Sequence, residues 1–466
     1  MEKKRILEVV EKMKRYPILF EKVIYPLIEV RKPEKERILP YLHFLRRTQW
    51  WSLELLKALQ LKRLHSLLSH AYSNVPYYRK IFNKLKLTPN NIKTVKDLAK
   101  LPVLTKADIR NNINDMIAKN YEKKELLLSS TGGSTGEPLQ FYTNKVASAW
   151  NMAVAYRAWE WAGYNIGDKI AYIWGAPQDI SLHGSLKEKI YDRLFRLKML
   201  DAFNITYHTL DKFIEEMRRF KPKVINAYPS AVDIVAKYLL ENRKEADISP
   251  KAVLTSAEML YPYQKKNIEK AFGCPTFDYY SGRETSLHAT ECSYHAGYHT
   301  SIETAVVEFI KDGQPVAPVE LGEIVLTDLT NYAMPFIRYK IGDIGISSTR
   351  KCPCGRNLPL IEKVIGRTTD LIVKKDKGYV AGPALTLVVK KLHGIKQCQI
   401  IQEDLDNLTI KMVKGKEYSK KEIDYFLAEI KKFVGNMNIK VVYVDTIPKE
   451  RSGKFRFTIS KVSTKF

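Results

Sequence analysis

Apolar positions in the first part of the chain recur with a helical period. Up to about residue 75, basic stretches alternate with apolar positions such as Leu27, Ile28 and Val30, and Trp50, Trp51, Leu53, Leu55 and Leu56 follow soon after, which predicts helices. The segment Tyr16 to Val30 raises peripheral membrane association, but Pro17 and Pro26 are expected to interrupt a long amphipathic helix there. Tyr77 and Tyr78 after Pro76, then polar residues to Asp97, read as a surface connection.

From Glu125 the pattern changes. Short β-branched or apolar runs at Lys169 to Trp174, Val224 to Ala227, Ala252 to Ser256 and Thr276 to Tyr280 alternate with helical stretches, which predicts a largely parallel sheet covered by helices. Strand-like runs then crowd together, Thr304 to Ile310 and Gly322 to Asp328, with Lys311-Asp312-Gly313-Gln314 as the turn between them; a distorted barrel or second sheet is expected. Past Arg367 the pattern restarts with Leu371 to Val373, an Asp376-Lys377-Gly378 turn, and strands Cys398 to Glu403 and Leu408 to Val413. A helix follows, opened by a Ser419/Glu422 capping box and burying Ile423, Phe426, Leu427 and Ile430, and a strand from Lys440 to Val444 completes a small α+β unit. The expected fold class is therefore α/β: a large domain of mixed sheets and helices plus a small α+β domain. The expected divisions are a helical segment 1–75 packed on the main domain, a main domain 76–366, and a mobile C-terminal domain 367–466.

The 466 residues are 45% hydrophobic and 11% aromatic, enough for more than one core. A net charge of +26 favours anionic partners such as polyphosphates, nucleic acids or membranes, without choosing among them. The lysines are scattered through many helices and form no basic stripe with aromatics, so no nucleic-acid partner is expected. No stretch reads as a signal peptide or a bilayer span, and a cytoplasmic protein is expected. The five cysteines, Cys274, Cys292, Cys352, Cys354 and Cys398, include one C-x-C pair and suggest thiols or metal rather than disulfides. Oligomeric state is not legible.

The candidate chemistry begins with Ser129-Ser130-Thr131-Gly132-Gly133-Ser134-Thr135-Gly136-Glu137-Pro138, a loop whose glycines and hydroxyls can bring donors close to phosphate oxygens. It is not a Walker A loop, since Glu137 stands where a lysine would be needed. Further along come Tyr280-Ser281-Gly282-Arg283-Glu284, Tyr339-Lys340-Ile341-Gly342-Asp343, Gly366-Arg367-Thr368-Thr369-Asp370 and Pro448-Lys449-Glu450-Arg451-Ser452-Gly453-Lys454. Cys352-Pro353-Cys354-Gly355 resembles a zinc knuckle, for which Cys292 with His295 or His299 could complete a tetrahedral site. The aromatics Trp150, Tyr156, Trp159 and Trp161 could line an aryl pocket, but their near-helical spacing reads better as core.

In the order of these elements the sequence resembles the adenylate-forming superfamily of acyl-CoA synthetases, and more narrowly the phenylacetate-CoA ligase branch with its CapK-like members. The resemblance runs from about Tyr77 to the C-terminus. It implies ATP-dependent activation of a carboxylic acid, aryl acids among the candidates, to an acyl-adenylate, with transfer to coenzyme A or another acceptor, in capsular or surface polysaccharide biosynthesis among other settings. By position it implies that Ser130, Thr131, Gly132, Gly133, Ser134, Thr135 and Gly136 hold phosphates and that Glu284 holds Mg²⁺. Asp343 would take the ribose hydroxyls, with Arg367 near ribose and phosphate and Lys454 near the α-phosphate. Ser256, Ala257 and Glu258, with Asp278, Tyr279, Tyr280 and Ser281, would lie near the base. Thr369 and Asp370 would form the hinge, where Thr369 departs from the usual Asp or Lys. Relatives with a structural zinc favour His299 over His295 beside Cys292, Cys352 and Cys354. Two other readings are adenylyl transfer onto a cofactor hydroxyl and a nucleotide-binding accessory protein without turnover.

Overall fold

The computed structural model describes residues 16–131, 139–174, 186–202, 205, 209–242, 247–367, 370–375, 379–381, 385, 394–415, 417–448 and 455–462. The sequence-predicted Gly132, Gly133, Ser134, Thr135, Gly136, Thr369 and Lys454 lie outside the described residues.

The described residues begin with two short helices, α1 (Tyr16–Leu19) and α2 (Tyr25–Glu29), joined without a break by a π-helical turn, Phe20–Ile24. Helices α3 (Ile38–Thr48), α4 (Leu53–Asn74), α5 (Pro76–Lys84) and α6 (Lys106–Asn112) follow. The hairpin β1 (Leu127–Ser130) and β2 (Gln140–Thr143) leads to the long helix α7 (Lys145–Trp161), whose first turn is capped by Asn144 Oδ1 accepting from the Ala147 N–H at 2.8 Å. Trp150, Tyr156 and Trp159 of α7 are buried, 8%, 6% and 6% exposed, as their helical spacing predicts for core.

Five strands form the parallel half of the main sheet: β3 (Ile170–Trp174), β4 (Leu197–Asp201), β5 (Val224–Ala227), β6 (Ala252–Thr255) and β7 (Thr276–Ser281). Strands β5 and β6 are buried at every position, because helices cover both faces. The helices α8 (Leu186–Leu194), α9 (Leu210–Phe220), α10 (Pro229–Glu241) and α11 (Pro262–Phe272) connect this half. Phe213, Ile214 and Met217 of α9 pack with Val232 and Val235 of α10 on one face, while the N-terminal helices and α7 fill the other.

At β7 the sheet changes direction. Strands β8 (His288–Glu291), β9 (Tyr298–Thr300), β10 (Ala305–Lys311), β11 (Gln314–Pro315), β12 (Leu321–Asp328), β13 (Tyr339–Ser347) and β14 (Leu360–Arg367) continue it with antiparallel pairing only. The order is β11-β10-β12-β13-β14-β9-β8-β7-β6-β5-β3-β4, one sheet of twelve strands. The strand-rich part is thus an extension of the parallel half, and among the described residues its pairing does not close into a barrel. The Lys311 to Gln314 turn closes the short β10–β11 hairpin and not β10 onto β12. Asp312 and Gly313 both have positive φ, 51° and 77°, the conformation a tight two-residue hairpin requires.

Beyond β14, β15 (Leu371–Val373) pairs with β16 (Tyr379–Ala381), and a four-stranded sheet forms from β17 (Ile395–Gln402), β18 (Asn407–Lys414), β19 (Asn438–Tyr443) and β20 (Thr458–Ser460). Helix α12 (Lys420–Val434) covers it with Ile423, Phe426 and Ile430. The expected Ser419/Glu422 capping box is not made: Ser419 gives no side-chain cap, and Glu422 Oε2 instead accepts the Gly394 N–H at 3.0 Å, drawn away by that backbone donor.

Candidate active site and metal centre

The candidate site is built at the end of β7, where the parallel and antiparallel halves meet. Open sheets leave a crevice at such switch points. Alternation along β7 sends Tyr280 to one face and Tyr279 to the other. The Tyr280 hydroxyl donates to Asp343 Oδ2 at 2.6 Å, across to β13. Asp343 is paired in register with Arg367 of β14, and Arg367 Nε lies 3.8 Å from Asp343 Oδ1. Glu284, just past β7, accepts from the Tyr339 hydroxyl at 3.4 Å. Burial and then the Asp343 carboxylate hold the Tyr280 phenol well above its ordinary value, so it stays a hydrogen-bond donor.

A residue that the motifs did not single out joins this group. Leu104 bridges to Tyr339 as a short parallel rung: its N–H donates to Arg338 O, and its carbonyl accepts from the Lys340 N–H, each at 2.9 Å. Lys106, two residues on, opens α6 behind a capping box in which Thr105 and Asp108 satisfy each other. Its half-buried ammonium feels the charges of Glu284, Arg367 and Asp343. Burial pulls its pKa down, with Glu284 and Asp343 acting in the opposite sense. The Thr105-Lys106-Ala107-Asp108 spacing after an apolar residue was the available sequence signal.

Other predicted residues have different surroundings. Tyr279 is buried against the α7 side, its hydroxyl on Asn226 Oδ1 at 3.2 Å. Asp278 accepts from Thr255 Oγ1 at 2.7 Å and from the Tyr298 hydroxyl at 2.8 Å, and burial pushes its carboxyl up to about 7. Ser281 closes β7, opposite His288. Ser130 pairs with Gln140, and Thr131 fixes the neck of its loop: its N–H donates to Leu139 O at 3.0 Å and its Oγ1 accepts the Leu139 N–H at 2.9 Å.

Ser256 and Ala257 follow β6, Ala257 with a φ of 71°. Glu258 next to them accepts from Ser230 N and Oγ, both at 3.0 Å, and from the Phe455 N–H at 2.8 Å, so it joins the main body to the C-terminal unit. Asp370 makes a second link: it accepts the Arg367 N–H at 3.3 Å and Arg456 Nε at 2.9 Å. An open cavity between the two units is lined by Ser230, Glu258, Tyr261, Arg367, Asp370 and Phe455.

A second centre lies beside β9. The ligand atoms of Cys292, His299, Cys352 and Cys354 all lie within 4.8 Å of one another. Cys292 Sγ is 3.5 Å from Cys352 Sγ, and Cys354 Sγ is 3.3 Å from His299 Nε2. Tetrahedral zinc with bonds of about 2.0–2.3 Å separates its ligands by roughly 3.3–3.8 Å, so this donor set fits that ion. Gly297 positions the histidine: with φ at 120°, a Cβ there would meet Ile361 O at 2.8 Å, and only glycine lets β9 approach β14 so closely. His295 is held elsewhere, its Nδ1 2.9 Å from Glu291 Oε2 and 3.2 Å from Lys265 Nζ. Burial, then the Arg356 charge, lowers His299 to about 4, leaving the neutral imidazole a metal needs.

A two-direction sheet with a small α+β unit at its C-terminal end is the fold of solved adenylate-forming CoA ligases. In sequence the chain is similar to CapK and to phenylacetate-CoA ligases. Residues 372–461 match the family model for the CapK C-terminal domain. The chain is 28% identical over 412 residues to Protein CapK of Staphylococcus aureus, covering 87% of this chain and 89% of that protein. It is 28% identical over 376 residues to phenylacetate-coenzyme A ligase of Escherichia coli strain K12, covering 78% and 83%. Among solved structures it resembles 2-hydroxyisobutyryl-CoA ligase in the postadenylation state, with a TM-score of 0.72 at 18% identity, over 89% of this chain and 92% of that one.

Proposed function

We propose that the protein activates a carboxylic acid as its acyl-adenylate at the expense of ATP and passes the acyl group to coenzyme A or a comparable acceptor. The observation that carries this reading is the convergence of Tyr280, Glu284, Asp343, Arg367 and Lys106 at the switch point of the sheet. The resemblance to CapK-like proteins, a group associated with capsular polysaccharide synthesis, supports a role in surface polysaccharide assembly, which we place in the cytoplasm where ATP is available.

In the proposed reaction an oxygen of the acid bonds to the α-phosphorus as the bond to the bridging oxygen of pyrophosphate breaks, and pyrophosphate leaves with the electron pair. Holding the two in line and offsetting phosphoryl charge supplies most of the acceleration. Tyr280 flanks the base, Asp343 accepts the ribose hydroxyls, and Arg367 adds a fixed positive fork. Lys106 sets a second cation opposite Glu284. By the resemblance, Thr131 and the glycine loop would hold the terminal phosphates, and Lys454 would act at the reacting oxygens. Glu284 would hold Mg²⁺, which supplies charge neutralisation across the phosphates. Cys292, His299, Cys352 and Cys354 would fill all four positions of a tetrahedral ion, so zinc bound there would be structural.

The test is acid-dependent exchange of pyrophosphate into ATP across a panel of aryl, acyl and amino acids. Glu284→Gln and Lys454→Ala are each expected to lower exchange by about a hundredfold or more, the scale of losing a transition-state charge contact. Exchange absent with every acid, while ATP still binds, would instead favour an accessory protein without turnover.

A further inference from the structure

The run from α1 to α2 is apolar on two sides. Its inner side is buried: Tyr16 and Phe20 are 0% exposed and Tyr25 2%, locked by the Tyr16 hydroxyl on Leu194 O at 2.7 Å and by Phe195 packing on both Phe20 and Tyr25. Its outer side carries Ile18, Leu19, Val23, Leu27 and Val30, which are 59%, 36%, 46%, 65% and 59% exposed. A globular helix ordinarily turns polar residues outward. Helix α8 lies alongside and adds Ile190 and Tyr191, 53% and 49% exposed; Tyr191 stacks at 4.0 Å on the same Phe195.

The prolines expected to interrupt this run do not. Pro17 lies within α1, and the π-helical turn ahead of Pro26 redirects the bonding so that the Tyr25 N–H reaches Phe20 O. The outer side therefore stays continuous from Ile18 to Val30.

The charges around it are sorted. Exposed Lys22, Arg31, Lys35 and Lys189 border the apolar side chains. Of the acidic groups, Glu21 pairs with Arg46, Glu29 takes the N–H groups of Ile38 and Leu39, and Glu36 lies 3.7 Å from Lys145; Asp192 beside Tyr191 is half-buried, and Glu34 is left exposed. An apolar ridge framed by cations, on a chain of net charge +26, is complementary to an anionic bilayer. A second copy of the chain would set like charges against one another. No helix among the described residues is long and apolar enough to cross a membrane, so contact would be at the surface.

We propose that this ridge is an interfacial anchor that seats Leu19, Val23, Leu27 and Val30 in the acyl boundary of an anionic membrane, with Lys22, Arg31 and Lys189 on lipid phosphates. The experiment is co-sedimentation of the full chain with phosphatidylcholine vesicles, with and without phosphatidylglycerol. Binding is expected only with the anionic lipid and should weaken as salt rises. Val23→Glu with Leu27→Glu should lower it about tenfold or more at an unchanged melting temperature, and Lys22→Gln with Arg31→Gln should flatten the salt dependence. Absence of vesicle binding, binding that survives the Val23 and Leu27 changes, or a dimer that those changes dissociate would each overturn the proposal.

Discussion

Lys106 is the residue whose placement says most about the site. Its ammonium feels two carboxylates, Glu284 and Asp343, and two guanidinium groups, Arg367 and Arg110, and burial makes its charge costly unless an anion shares the space. In the proposed reaction that anion is the nucleotide. Lys106→Ala is expected to lower pyrophosphate exchange by about tenfold to a hundredfold, with Lys106→Arg recovering part of the loss; exchange within twofold of wild type would remove Lys106 from the mechanism. The motifs made Glu284, Asp343 and Arg367 legible because each stands in a short recognisable string. Lys106 stands in a segment that reads as ordinary connection, and only the Leu104 rung on β13 brings it to the others. Strand alternation likewise separates Tyr279 from Tyr280, although the two are adjacent in the motif.

Among the elements, the loop after β8 and the loop between β13 and β14 are joined at the cysteine cluster. Cys292, Cys352 and Leu360 form only a small apolar cluster there, and an ion held by four protein ligands would add to it. Protein purified without added zinc is expected to hold about one equivalent. Cys352→Ser with Cys354→Ser should abolish that content and lower the melting temperature by about 5 °C or more. Less than half an equivalent in the wild type would count against the site. The C-x-C pair was legible from spacing. The choice of His299 over His295 rests in space on the β9–β14 register, which places His299 opposite Leu360. Four of the five parallel strands were legible as apolar runs between helices, whereas β4, in which Lys198 and Asp201 interrupt the apolar residues, was not. The β10–β11 hairpin was not, because a two-residue strand has too little pattern to be seen.

For the molecule as a whole, distant parts of the chain are locked by one buried ion pair. Arg157 of α7 meets Glu303, ahead of β10, at 2.6 Å, with 2% and 0% of their side chains exposed, and Thr48 at the end of α3 donates to the same carboxylate at 2.7 Å. Removing one partner strands the other charge in the core. Glu303→Ala is therefore expected to destabilise the protein by about 3–5 kcal/mol in denaturant unfolding, and Arg157→Met added to it should recover part of that loss. A change below about 1 kcal/mol would contradict this account. Neither residue is conspicuous in sequence: the two lie 146 positions apart, and a charge that pairs at such a distance looks like any solvated one.

The Tyr280 hydroxyl has a consequence for how a nucleotide would be admitted. Because it already occupies one oxygen of Asp343, that carboxylate is never bare between turnovers, and an arriving ribose would exchange one donor for another instead of stripping water from an unshielded anion. Affinity gained from the sugar should then be small. Selectivity for ribose over deoxyribose would come from whichever hydroxyl finds the oxygen that the phenol leaves open.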